Sequence, residues 1–129
     1  MSLNPKFLSY EQVPLLHQLQ IDEFGGASGI KDEGLLRSAL AQPESTFREN
    51  LLHKDLFEMA AAYLFHLVKN HAFIALNKRI AALTASVFLE INGLLLTADE
   101  DHFEKLVMDA AQSLLTKEQL ADFFRKNTK

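Results

Sequence analysis

The sequence predicts an all-α protein, a compact bundle of about six helices, and three observations carry that prediction. Apolar residues recur at helical spacing through long stretches of the chain. Several of those stretches open on residue pairs spaced as capping boxes: Ser9 with Gln12, Asp55 with Glu58, Thr97 with Glu100, and Thr116 with Gln119. Helix breakers close them, at Gly25-Gly26, Pro43 and Asn92-Gly93. With 129 residues, no internal repeat and no linker, the chain reads as one domain over residues 1–129, large enough to bury a core.

In order, Ser9 and Gln12 open a stretch with Leu15, Leu16, Leu19 and Phe24 on its apolar positions, and Pro14 leaves its exact start open. A loop from Gly25 to Lys31 leads to Asp32, the expected N-cap of a helix through Leu35, Leu36, Ala39 and Leu40. Residues 44–53 lack periodicity and read as a loop or flap. A central helix pair follows. Asp55 starts a helix over 55–70 rich in Leu56, Met59, Ala60, Tyr63, Leu64 and Leu67. After a turn over His71–Leu76, Asn77 starts a second over 77–92, whose Ile80, Ala81, Leu83, Val87, Phe88 and Ile91 point to burial on several sides. Leu94-Leu95-Leu96 suits a short extended segment without an evident partner, and Thr97 and Thr116 begin the last two helices.

Composition narrows the function classes. The richest apolar segment, Leu56 to Val68, contains Glu58 and His66, which argues against a membrane span. The first residues lack the layout of a secretory signal. The absence of cysteine removes disulfide and thiolate chemistry and fits a cytoplasmic protein. A net charge of −4, with a local cationic cluster at Lys78-Arg79 and otherwise scattered cations, disfavours nucleic acid as a direct partner.

The chemistry concentrates at His71-Ala72-Phe73-Ile74-Ala75-Leu76-Asn77-Lys78-Arg79. Histidine exchanges protons near neutral pH, so His71 is the candidate general base. An amide and two cations at the start of the next helix suit anion binding, because that terminus carries unpaired N–H groups and partial positive charge. The plain structural readings are a terminal cap for His71, an N-cap for Asn77 and solvated surface for Lys78 and Arg79. Two cations at a helix N-terminus oppose the macrodipole, however, and a bound anion relieves that conflict. Phe73 reads as the core anchor of the turn.

These residues carry a resemblance. The pattern His-x-Phe-x-x-x-Asn-Lys-Arg, between apolar helices, resembles the signature of the Fic/Doc (Fido) family, and of its Doc, or death-on-curing, branch in particular. Phe24-Gly25-Gly26, Gly29-Ile30, Asp32, Gly34-Leu35-Leu36, Ser38-Ala39-Leu40 and Gln42-Pro43 are similar to the N-terminal half of Doc-type toxins. Phe88 to Gly93 and Thr97-Ala98-Asp99 are similar to the segment after the motif. The longer Fic motif of protein adenylyltransferases has glycine where Lys78 stands and a further arginine where Ala82 stands, and both differences are Doc-like. A lysine there fills space in which a β-phosphate would nest against bare backbone.

The resemblance implies a toxin of a toxin–antitoxin pair, with a Phd-like antitoxin as partner. It further implies γ-phosphoryl transfer from ATP to a hydroxyl of a translation factor, elongation factor Tu being the founding toxin's target. His71 would then act as base, and Asn77, Lys78 and Arg79 would hold the phosphates. One departure stands out. The family places Asp or Glu, a Mg²⁺ ligand, at the position of Ala75, and a small residue at that of Leu76. A methyl group cannot ligate Mg²⁺. Asp22, Asp55 and Glu58 are the acids available as substitutes. Beside this reading stand a protein adenylyltransferase, a non-catalytic nucleotide- or partner-binding module favoured by Ala75, and a ribonuclease toxin. The last rests on Arg48 and His53, whose spacing is similar to that of HEPN-kind ribonucleases, and the acidic net charge opposes it.

Overall fold

The computed structural model describes residues 4–47 and 50–129. Six helices form the bundle: α1 (Gln12–Phe24), α2 (Glu33–Ala41), α3 (Leu56–Asn70), α4 (Asn77–Ile91), α5 (Glu100–Ala111) and α6 (Lys117–Lys126). A 3-10 turn at Gln42–Glu44 and a small antiparallel hairpin, β1 (Thr46–Phe47) with β2 (Asn50–Leu51), occupy the segment expected to be a loop or flap.

Side-chain caps set four helix starts. Asp32, Asp55, Asp99 and Thr116 each accept from a backbone N–H three residues on, and Thr116 with Gln119 completes a capping box. The cap of α5 is therefore Asp99, two residues beyond the expected Thr97. At α1, Ser9 and Gln12 exchange the expected bonds, Gln12 N–H to Ser9 Oγ and Ser9 N–H to Gln12 Oε1, and the helix proper begins at Gln12. Pro14 thus sits in the first turn, where a missing N–H costs nothing.

Helix α3 is the axis of the molecule. Met59 through Leu64, with Leu67 and Val68, are buried, and α2, α4, α5 and α6 pack around it. The run Ala60-Ala61-Ala62, with Ala81 and Ala85 of α4, gives small buried surfaces on which helices approach closely. Large rings from α3, α4 and α6 (Tyr63, Phe88, Phe124) fill the remaining volume. Helix α1 rests on α4, and it differs from the sequence expectation. Val13, His17 and Ile21 form its buried stripe, while Leu15 and Leu19 are 68% and 61% exposed. Leu94–Leu96 also has a partner after all: the C-terminal tail, with Leu95 and Lys129 exchanging main-chain bonds of 3.1 and 2.9 Å.

Candidate anion-binding and catalytic site

The join between α3 and α4 is a six-residue turn that departs from ordinary backbone geometry at both ends. His71 caps α3 in the left-handed region at φ 48°, a conformation histidine tolerates better than most residues. Leu76 precedes α4 in the same region at φ 61°, where a branched side chain is strained. Leu76, rather than Asn77, is thus the N-cap residue of α4, and it offers no capping group.

The interior of the turn is pinned from three sides. Phe73 is 1% exposed, as expected of an anchor. Its main chain is clamped by the Asn77 carboxamide: Phe73 N–H donates to Asn77 Oδ1 at 3.0 Å, and Asn77 Nδ2 donates to Phe73 C=O at 2.9 Å. The loop after α1 runs antiparallel to it, with Ile74 N–H donating to Gly29 C=O and Lys31 N–H to Ala72 C=O. From α1, His17 stacks on the Phe73 ring at 3.9 Å between centroids and 13° between planes. The same ring donates from Nε2 to the Ala75 carbonyl at 2.8 Å. Since a carbonyl only accepts, Nε2 must carry the proton.

Helix α4 opens without a cap and without an acidic residue in its first turn, unlike α2, α3, α5 and α6. Leu76 C=O takes the Ile80 N–H at 3.0 Å, and the N–H groups of Asn77, Lys78 and Arg79 find no acceptor among the described residues. Lys78 is exposed and has no acidic partner among the described residues. Arg79 is exposed but anchored, its guanidinium lying 3.8 Å above the centre of the Phe24 ring. The imidazole of His71 is exposed and makes no hydrogen bond within the described residues, so it is free to meet a solute. One helix C-terminus and the next N-terminus therefore present, within nine residues of chain, an unengaged imidazole, three open backbone N–H groups and two cations. The Asn77 side chain is committed to the turn, leaving its backbone N–H for a ligand.

Position 75 carries no oxygen donor on its side chain, and the Ala75 methyl lies against Gly26, where an added Cβ would meet it at 3.4 Å. Of the three candidate substitute acids, Asp55 and Glu58 sit toward the opposite end of α3, about 24 and 20 Å along the axis from His71 at 1.5 Å per residue. There Asp55 caps α3 and binds Arg125 at 2.9 Å. Asp22 is exposed on α1 and accepts from Gln18. Among the described residues no group of three His, Asp or Glu is placed to hold a metal ion.

A second set of titratable groups lies along α3. His53 lies 4.0 Å from Glu58, and Lys117 Nζ donates to His66 Nε2 at 3.1 Å, beside a cavity of about 400 Å³. Burial, reinforced by Lys117 and by His53, pushes the pKa of His66 down to about 4; burial likewise lowers that of His53. Arg48 lies outside the described residues, so its pairing with His53 is not part of this picture.

Sequence reasoning passed over His17 and Phe24 as parts of the site. The signal was available in the spacing of Val13, His17 and Ile21, each four residues from the last, once a histidine is admitted to a buried stripe.

Fold and site define an all-helical bundle that presents a histidine beside an open, cationic helix N-terminus. Comparison with known proteins places it further: residues 7–89 match the Fic/DOC family. The chain is 39% identical over 94 residues to Toxin Doc of Mycolicibacterium smegmatis, covering 73% of this chain and 68% of that protein. It is 29% identical over 121 residues to Protein kinase doc of Escherichia phage P1, covering 94% of each. The chain belongs to the Fic/DOC family, within its Doc toxin branch.

Proposed function

We propose that this chain is the toxin of a toxin–antitoxin pair, with a Phd-like antitoxin, and that its site takes the phosphates of ATP. The reaction to which such a site belongs is transfer of the γ-phosphoryl group to a hydroxyl of a translation factor of the elongation factor Tu kind. The observation that carries the reading is the α3–α4 join, where an unengaged His71 stands one turn of chain from three open N–H groups flanked by Lys78 and Arg79. In the transfer, the hydroxyl oxygen bonds to the γ-phosphorus while the bond to the β–γ bridging oxygen breaks. ADP leaves, and His71 takes the hydroxyl proton. The backbone N–H groups and the Lys78 ammonium hold phosphate oxygens, and Arg79, braced on Phe24, adds its charge.

Mg²⁺ does not fit the residues present. Ala75 brings no side-chain oxygen and its carbonyl is taken by His17, while the other acids weighed are distant or engaged elsewhere. Charge on the transferring group is then less well neutralised, so the chain as written binds nucleotide weakly and transfers slowly or not at all. Ala75 thus favours a second reading, a nucleotide- or partner-binding module without turnover.

The test is to install the acid and relieve the turn together, Ala75→Asp with Leu76→Gly, and to follow transfer from γ-labelled ATP to elongation factor Tu and to whole lysate. The restored protein should gain orders of magnitude over the unaltered chain, and His71→Ala in that background should abolish the gain. A folded, restored protein that stays inert would sink the phosphotransferase reading and leave the binding module.

A further inference from the structure

We propose that His17 is the positioning residue of the anion cradle: its Nε2–H, donated to the Ala75 carbonyl, locks the peptide between residues 75 and 76 in the orientation that opens the α4 N-terminus to a nucleotide phosphate. The proposal rests on the phosphate-binding reading above for its ligand, but not for its effect on the loop.

His17 is 2% exposed, the one fully buried histidine among the described residues. An imidazole in that position costs free energy unless its polar edge is satisfied, whereas a phenylalanine would fill similar space without that demand. The hydrogen bond to Ala75 meets the demand across 58 residues of sequence and joins α1 directly to the turn. The ring face is used as well, stacked on Phe73, so one side chain holds the turn at two points, two residues apart.

The peptide it grips is the one under tension. Leu76 holds φ 61°, and a β-carbon in the left-handed region crowds the neighbouring carbonyl. Rotating the 75–76 peptide by half a turn, through ψ of residue 75 and φ of residue 76, relaxes the leucine to negative φ. That rotation swings the Ala75 carbonyl away from α1. It also turns over the Leu76 N–H of the same peptide, which has no acceptor among the described residues and leads directly into the open donors of Asn77, Lys78 and Arg79. The hydrogen bond from His17 opposes the rotation, so the strained form persists because α1 holds it. Other ties on the turn act elsewhere: Asn77 clamps Phe73, and Gly29 pairs with Ile74. Among the described residues, none but His17 hydrogen-bonds the Ala75 carbonyl.

Two substitutions separate donor from ring. His17→Phe keeps the stack and deletes the donor; His17→Gln places an amide N–H near the position of Nε2 and deletes the stack. Val107→Ala, in the α5 core, controls for general loss of stability. ATP affinity is measured by calorimetry with and without Mg²⁺, and exchange of the Phe73 and Ile74 amides is followed by NMR. His17→Phe should weaken ATP binding about tenfold and speed both amides by a similar factor, the value of one well-placed hydrogen bond. His17→Gln should recover most of both effects, and Val107→Ala should show neither. Wild-type behaviour of His17→Phe in the exchange measurement overturns the proposal, as does an equal loss in Val107→Ala. If the unaltered chain binds no ATP, the phosphate-binding reading fails, and the exchange comparison alone decides the role of His17.

Discussion

Removing the carboxamide of Asn77 should destabilise the fold before it affects any ligand. The side chain makes two hydrogen bonds, at 3.0 and 2.9 Å, with both main-chain groups of Phe73, a residue only 1% exposed. At 0.5–1.5 kcal/mol net for each, Asn77→Ala forfeits about 1–3 kcal/mol, and the shielded Phe73 N–H left unpaired pushes the cost toward the upper end. For a domain of this size, about 4 °C per kcal/mol gives a fall in Tm of about 8–12 °C. Asn77→Asp refines the test. It keeps an acceptor for the Phe73 N–H and gains from the helix N-terminus, but sets a carboxylate oxygen against the Phe73 carbonyl in place of an N–H donor. Its loss should therefore be smaller than that of alanine, about 1–2 kcal/mol. Thermal and urea unfolding read both variants, with ATP titration alongside. An Asn77→Ala protein that melts with the wild type yet loses nucleotide affinity would refute the clamp and return the amide to the ligand.

At position 76, glycine should outrank alanine: Leu76→Gly should be more stable than Leu76→Ala by about 1 kcal/mol, because only alanine carries a β-carbon into φ 61°. Denaturant midpoints of the pair check this, and the ordinary helical order, alanine above glycine, would show that the left-handed turn is not kept. Thr84 is fully buried with a hydroxyl unpartnered among the described residues, so Thr84→Val should raise stability by about 1 kcal/mol in the same assay. His66, held near pKa 4 against an ordinary 6.5, stays neutral in the fold while the unfolded chain takes up a proton. Its contribution is therefore complete above pH 6.5 and is lost as pH falls toward 4, by on the order of 1–3 kcal/mol. Urea unfolding across that window should show the slope in the wild type and a flatter profile in His66→Gln.

Much of the fold is legible in the sequence because helix starts are local events. Asp32, Asp55 and Thr116 each make the cap that their spacing announces, and the central pair falls within a residue of its expected bounds. What the sequence conceals is decided across distance. Leu15, Leu16 and Leu19 satisfy a helical stripe as well as Val13, His17 and Ile21 do, and only the position of α4 and the turn selects the second. Leu94–Leu96 finds its partner in a tail more than thirty residues on. At the site, the identities of His71, Lys78 and Arg79 were readable, but not the directions of their neighbours. Asn77 turns back onto Phe73, Arg79 lies on Phe24, and His17 reaches Ala75 from another helix.

The local rules that most of this chain obeys are broken together in one place. Four helices begin with a side-chain cap and an acidic first turn, each worth a fraction of a kcal/mol to about 1 kcal/mol, while α4 begins with two cations and open N–H groups. Two of the three non-glycine residues with positive φ among the described residues, His71 and Leu76, bracket the same turn. Unfavourable backbone kept by surrounding structure is what a binding site demands, since donors must point at the ligand before it arrives. Yet the side chains at 75 and 76 do not serve that backbone: alanine supplies no metal ligand, and leucine strains where glycine would rest. The cradle and the chemistry thus come apart in this chain. In the proposed reading phosphate recognition rests on main-chain direction, which the hydrogen bonds of His17, Asn77 and Gly29 hold at the turn. Turnover, in the same reading, calls for an acid that position 75 does not supply.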